Sequence, residues 1–581
     1  MPVKLSFDEY PKLAELIDRL DRFLQQEHGD FFRPDGKHPI LNIKPSKVVH
    51  DNLWGTNKFS WAELCLIDSP ILQRLRDIHQ VGLAFHVYPS ARHTRFEHCL
   101  GVTTIASRIF DVIAERNRSE LMDIMAALGM SDADTAIRRV RQELRLAALL
   151  HDTGHSLFSH ASERVYQGLN SLTAAQDELK TLAGKKKGAG EVLSFCLAST
   201  DSVRGLLERA RRKLSAAEMR RGVDDEIDLG NVALMIVGRA SHPYLQFLGD
   251  IVSSGFDADK LDYLLRDATA AGLPLRYDLD RYLYGVRLEK NFLVDDEGEL
   301  QKLYGVVSPV PVERHSARLP QWPRPFYETY RLRIPRAAMN AVEQIIICKM
   351  MLFSYLYHHT KVRAAEGVLE RLLKRMVQLW RTREDDTSIL ERFLRMTDSS
   401  LHSAELVETS DDYVKEYVYR IVHRLLPREV YRLSGDAASH AERPLLTDFL
   451  TNLQDNEMRD GLISQVEQAM GQELNMLRVG TSPEDALYKA GVWLDVPSPP
   501  KFEDVEELVM RADQGGSDTQ FAEVFPVGQW TQAYTHFRYA VRIFSFSEYV
   551  TKTEVAAKRA MQKILNIKAD SFYEKVRRSR Q

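Results

Sequence analysis

Two short segments carry side chains whose types and spacing suit metal chemistry. The first is Arg95-Phe96-Glu97-His98, and the second is His151-Asp152-Thr153-Gly154-His155 with its continuation to His160. An imidazole beside a carboxylate, at the end of an apolar helical run that a glycine then breaks, offers two metal donors of different hardness. His98, on a separate helix, can supply a third donor. A single buried histidine is more often a satisfied core residue, but four histidines fall between positions 98 and 160. A fourth ligand should be a carboxylate from elsewhere, and the segment Phe256-Asp-Ala-Asp-Lys-Leu-Asp-Tyr-Leu-Leu-Arg-Asp267 offers it. With Asp259 as zero on a helical wheel, Tyr263 falls at about 40°, Asp267 at about 80° and Lys260 at about 100°. A carboxylate, a phenol, a second carboxylate and an ammonium thus share one arc. Asp262 and Arg266 sit on the neighbouring arc at i,i+4 and read as a structural ion pair. Two histidines and two aspartates neutralise one divalent cation and leave coordination positions open. The donor set suits Mn, Fe, Co, Ni or Zn, without a preference among them.

The elements that must position these residues are mostly helices. Between Phe96 and Glu115, Val102, Ile105, Ile109 and Ile113 lie on one face, at the 3.6-residue period. Arg139–His151, Asp257–Ala270, Pro335–Tyr357 and Ala364–Trp380 repeat the pattern. Strand-like alternation is sparse. Its best case is Tyr284–Val294, with a turn at Asp295–Gly298 and a return over Leu300–Val307, which predicts a hairpin. Three stretches read as loops or boundaries: the Gly/Lys tract Leu182–Gly190 as a mobile excursion, the proline-rich Ser308–Pro335 as an irregular insertion, and Pro497–Lys501 as the entry to a C-terminal unit.

Composition narrows the classes. The chain has 581 residues with 78 basic and 82 acidic side chains, a formal net charge of −4, and 44% hydrophobic residues. It can bury a large core, and the near-neutral balance argues against a dedicated nucleic-acid or membrane-surface protein. Nine basic and three acidic residues after position 551 predict a solvated helix face, with a nucleic-acid or partner contact as the weaker alternative. Cys65, Cys99, Cys196 and Cys348 form no C-x-x-C pair and fit a reducing compartment. The N-terminus carries early acids and no apolar run of a signal peptide. Ala341–Tyr357 contains Glu343, Gln344 and Lys349, too polar to span a bilayer comfortably. A cytoplasmic protein without a membrane partner is expected.

Taken in order, four motifs resemble those of the HD-domain phosphohydrolases, in the deoxynucleoside-triphosphate (dNTP) triphosphohydrolase branch that includes the bacterial dGTPases. They are Ile67-Asp-Ser-Pro-x-x-Gln73-Arg74-Leu-Arg76-x-Ile-x-Gln80, T-R-F-E-H-C-L-G-V around His98, H-D-x-G-H-x-x-F-S-H from His151, and D-x-D-K-x-D-Y-x-x-R-D from Asp257. The match runs from about Lys47 to about Gly435. It implies a mainly α fold: an N-terminal helical segment (1–45), an HD-type helical core with small β-hairpin insertions that carries the metal and nucleotide site (46–435), and a C-terminal helical or α+β lobe with a basic terminal helix (436–581).

Residue by residue, the resemblance places the metal ligands at His98, His151, Asp152 and Asp259. Triphosphate contacts fall on Arg95, Lys260, Tyr263 and Lys349 (a Lys where the family has Arg), and sugar contacts on Gln80 and Asp267. His155 and His160 match the histidines near the scissile bond. The implied reaction is attack of water on the α-phosphorus of a dNTP, releasing deoxynucleoside and tripolyphosphate. One divalent transition metal serves as cofactor, and Mg accompanies the nucleotide. An activating nucleotide between subunits is implied by Lys47, Val48, Asp68, Gln73 and Arg76, with Arg281, His359 and Arg428 beside a neighbouring effector. The partner is then a second copy of the chain, in a dimer, tetramer or larger homo-oligomer. His50 replaces the usual Asn, and Asp68, Gln73 and Arg76 also fit simple helix packing. A further departure is Gly190-Glu191, where the family has His-Glu, so that one imidazole is missing. The alternatives are an HD hydrolase of a cyclic or signalling nucleotide, or a nucleotide sensor with reduced turnover.

Overall fold

The computed structural model describes residues 7–33, 46–130, 132–214, 227–294, 326–403, 406, 409–434, 456–497, 509–511, 519–520, 523, 525–537 and 540–565. Within them the protein is mainly α-helical, with three small sheets. Helix Arg95–Arg116 buries Val102, Ile105, Ile109 and Ile113, the face its period predicts. It packs against Ala133–Leu150, which opens at Asp132; that carboxylate accepts hydrogen bonds from the amides of Asp134 and Thr135. Ala258–Ala270 crosses the same helix and is capped by Asp257, which accepts from the Lys260 amide. N-terminal helix Pro11–Glu27 contributes Leu13, Leu16 and Leu20 to this main core.

The strand pairing differs from the expected hairpin. Arg287–Val294 pairs antiparallel with Phe326–Pro335, and residues 300–307 lie outside the described residues. Helix Leu279–Gly285 takes the beginning of the expected first strand. Phe326, Tyr327, Thr329 and Tyr330 are aromatic or β-branched types that strands favour, and prolines upstream of them obscure the signal in the sequence. The Gly/Lys tract is also tied down. Gly184 terminates helix Asn170–Ala183 in a left-handed conformation, and the Lys187 side chain is buried with Nζ 2.8 Å from Ser253 Oγ and 3.2 Å from Glu191 Oε1.

Helix Met339–Leu352 continues into a π-helical turn, Phe353–Tyr357. The stretch Arg336–Tyr357 is long and apolar enough to cross a membrane, but Ala341, Val342, Ile345 and Ile346 are buried in the main core, against the Ala258–Ala270 helix among others. A second, smaller core lies under an antiparallel sheet in the order Arg428–Ser434, Ala540–Ser545, Trp493–Asp495. Helices Asn456–Met476 and Val550–Leu565 cover it. The two bodies meet along helix Thr360–Trp380, where Arg363 pairs with Asp495 and Arg371 Nη2 lies 2.7 Å from Glu467 Oε2.

Candidate metal centre and adjoining cavity

His98 lies one turn into its helix and is fully buried. Its Nδ1 is 2.8 Å from Asp262 Oδ2, and Asp262 is held in turn by Arg266 Nε at 2.7 Å and by the Trp54 indole. The ion pair read from i,i+4 spacing therefore has a second job: it fixes the imidazole of His98. Gly101 makes this approach feasible, because a Cβ there would collide with Asp262 and Arg266. His151 is anchored by its Nδ1, 2.8 Å from the Ala148 carbonyl oxygen. Both histidines thus present Nε2 to one point. There His98 Nε2 is 3.0 Å and His151 Nε2 3.7 Å from Asp259 Oδ1. Each also lies 3.6 Å from an Asp152 oxygen.

The donors fit a divalent cation. Both Nε2 atoms are buried with no hydrogen-bond partner, an unusual cost unless something else occupies them. His98, His151 and Asp259 place their ligand atoms within 4.8 Å of one another. Burial opposes a charge on His98, yet the adjacent carboxylates of Asp259 and Asp262 outweigh it and push its pKa up to about 10. Burial likewise opposes ionisation of Asp152, but the Arg95 guanidinium, then His151 and His155, hold its carboxyl well below the ordinary range. Such a cluster attracts positive charge.

Beside this centre lies a cavity of about 690 Å³, a volume in the usual range for a small-molecule site. Gln80, Arg95, His151, Asp152, His155, His160, Asp259, Lys260, Tyr263 and Asp267 all line it, so most of the expected site residues are brought together. Arg95 is buried and bonded to Asp152 and to Ser159 Oγ (2.8 Å), while its Nη2 is buried without a hydrogen-bond partner. Gln80 Oε1 is also buried without one. Lys260 Nζ lies 2.7 Å from both the Ser254 carbonyl oxygen and Asp257 Oδ2. Lys349 does not line the cavity. It stands on the same helical stretch as Phe353, which does, but one turn (about 6 Å) earlier.

The turn after His151 is strained. Phe158 and Ser159 have φ of 50° and 57°, the left-handed region that bulky residues avoid. The surroundings hold them there: Asp398 Oδ1 accepts from the Phe158 amide at 2.5 Å, and Ser159 Oγ donates to the His79 carbonyl at 2.6 Å. This turn delivers His160 to the cavity, with Nδ1 2.7 Å from Glu163 Oε2. His155 is nearly fully buried, its Nε2 3.2 Å from Asp152 Oδ1. Burial first, and then Arg95, lower its pKa.

Sequence reasoning missed several residues. Asp267 is already shared by His93 Nε2 (2.7 Å) and the Tyr357 hydroxyl (2.5 Å), and Tyr357 lines the cavity. Glu163 could have been found, since it stands three residues after His160 on a helix. Arg363 and Glu366 also line the cavity, as do Arg459 and Pro497, which lie beyond the 46–435 span expected to hold the site. The expected effector residues stay on the surface: Lys47, Val48, Asp68, Arg76, Arg281 and Arg428 are exposed, and Gln73 and His359 are half-buried. Gln73 Nε2 donates to the Ile67 carbonyl at 2.7 Å, and the Arg76 guanidinium lies 3.6 Å from the Phe96 ring centre, so both also have packing roles.

A mainly helical core gathers His98, His151, Asp152 and Asp259, and the class of domain that holds them is shown by comparison: residues 95–222 match the family model described as HD domain. The chain's relatives include the human deoxynucleoside triphosphate triphosphohydrolase SAMHD1, 27% identical over 43% of this chain and 37% of that one. An uncharacterised protein of Methanocaldococcus jannaschii is 26% identical over 64% of this chain and 58% of its own length. The chain thus spans less than two thirds of either relative. The crystal structure of a hypothetical Aquifex aeolicus protein has the same fold, with a TM-score of 0.51 at 20% identity, covering 88% of this chain and 100% of that one.

Proposed function

We propose that the protein is a metal-dependent phosphohydrolase that cleaves dNTPs, dGTP-like substrates foremost, to deoxynucleoside and tripolyphosphate. The observation that carries this reading is the placing of an anchored His/His/Asp/Asp cluster at the wall of a cavity that also holds Arg95, Lys260, Tyr263 and Gln80. His98, His151, Asp152 and Asp259 hold one divalent transition metal, and a cation there supplies Lewis-acid polarisation of a phosphoryl oxygen. The unpaired Nη2 of Arg95 and the Tyr263 hydroxyl bind the triphosphate oxygens, and Lys260, while bonded to Asp257, adds positive charge beside them. Gln80 Oε1 accepts from a sugar hydroxyl. Water adds to the α-phosphorus, the P–O5′ bond breaks, and His160 passes its proton to the leaving O5′. Glu163, 2.7 Å from that ring, stabilises the charged imidazole. Regulation by a guanine nucleotide between subunits of a homo-oligomer is supported by the exposed Lys47, Val48 and Arg76.

The test is to incubate the metal-loaded protein with each dNTP and separate the products. Deoxynucleoside with tripolyphosphate supports the assignment. Deoxynucleoside monophosphate with pyrophosphate, or diphosphate with phosphate, shows the triphosphate bound in another register.

A further inference from the structure

We infer a second divalent-cation site, built by His155, His160 and Glu163 beside the HD centre. Each of the three residues offers a ligand atom, and these atoms lie within 4.8 Å of one another. Glu163 Oε2 is 2.7 Å from His160 Nδ1 and 3.9 Å from His155 Nδ1. Those separations bracket the roughly 3.4 Å between donors on a tetrahedral cation with bonds of about 2.1 Å. His155 is 4% exposed, and its Nδ1 is buried without a hydrogen-bond partner. Its other nitrogen is 3.2 Å from Asp152 Oδ1, so a carboxylate orients the ring and leaves Nδ1 for the cation.

Glu163 is prepared in the same way. Its Oε1 accepts from the Gly190 amide at 2.9 Å, which turns Oε2 toward the two imidazoles. Gly190 also makes room for the His155 ring, since a Cβ there would lie 2.5 to 2.8 Å from three of its atoms. Two imidazoles and one carboxylate with an open fourth position is the ligand count of an accessible zinc site, and His160, 70% exposed, gives the entry path. A cation here occupies the lone pairs that carry the proton in the reaction above. This consequence rests on the proposed function; the site itself does not. Excess zinc therefore lowers turnover by taking His160 out of proton transfer.

Zinc bound per full-length chain, measured by equilibrium dialysis of chelator-stripped protein and elemental analysis, tests the site. The wild type should bind two zinc ions per chain. His160→Ala, a change at an exposed ring, should bind one, and so should Glu163→Gln. His98→Ala should also bind one, having lost the other site. Wild-type stoichiometry in both His160→Ala and Glu163→Gln overturns the proposal. If those variants each lose one zinc but the wild-type chain, loaded with a single metal ion so that this second site is empty, hydrolyses no dNTP, this site stands and the nucleotide reading fails instead.

Discussion

The imidazole of His155 stands where a side chain at position 190 would have to go: a Cβ on Gly190 would fall 2.5 Å from its Cε1. The position where the resemblance leads one to expect an imidazole is therefore not an empty place, because the buried His155 ring fills the space. Gly190→Ala weighs two effects against each other. Replacing a helical glycine gains about 1 kcal/mol of helix propensity. Overpacking a buried, anchored ring costs about 1–3 kcal/mol, and His155 has little freedom to move, held at Nε2 by Asp152. The cost should win, lowering the thermal midpoint and displacing His155. An unchanged or higher midpoint would show that the ring yields.

His151→Ala removes one expected metal donor, and Asp152→Asn weakens another while its amide oxygen can still accept from the buried Arg95 guanidinium. Hydrolysis should be lost and bound metal should fall, with the helical circular dichroism unaltered. Full turnover in either variant, with the metal used for the wild type, would sink the assignment of the centre.

Asp262→Asn keeps the shape of a side chain that never touches the metal yet fixes the His98 ring. Metal affinity should fall about 10- to 100-fold, the usual cost of losing such an anchoring partner. The fold should survive, because Arg266 keeps Asp51 at 2.9 Å. A metal titration with wild-type affinity would falsify the anchoring role.

Arg76 separates regulation from packing. If it belongs to an effector site, dGTP or GTP should raise the turnover of other dNTPs and promote assembly, and Arg76→Ala should abolish that response while keeping basal turnover. If it only caps the Phe96 ring, the variant should lose about 0.5–1 kcal/mol of stability and respond to guanine nucleotides as the wild type does. Light scattering with and without dGTP distinguishes the two.

What was legible in the sequence lies within single elements or adjacent positions. The shared arc of Asp259, Tyr263 and Asp267 and the Asp262–Arg266 pair follow from helical pitch, and the His151-Asp152 dipeptide from adjacency alone. The amphipathic period by itself marks a helical core. The tertiary structure decided what joins distant positions: Asp262 behind His98, Tyr357 on Asp267, His155 in the space above Gly190, and Arg459 and Pro497 in the cavity wall. It also chose Phe326–Pro335 as the partner of Arg287–Val294. The reason is physical. Pitch and pleat set which side chains share a face over a few residues, whereas contacts across hundreds of residues depend on how helices pack, and that is settled by the whole core at once.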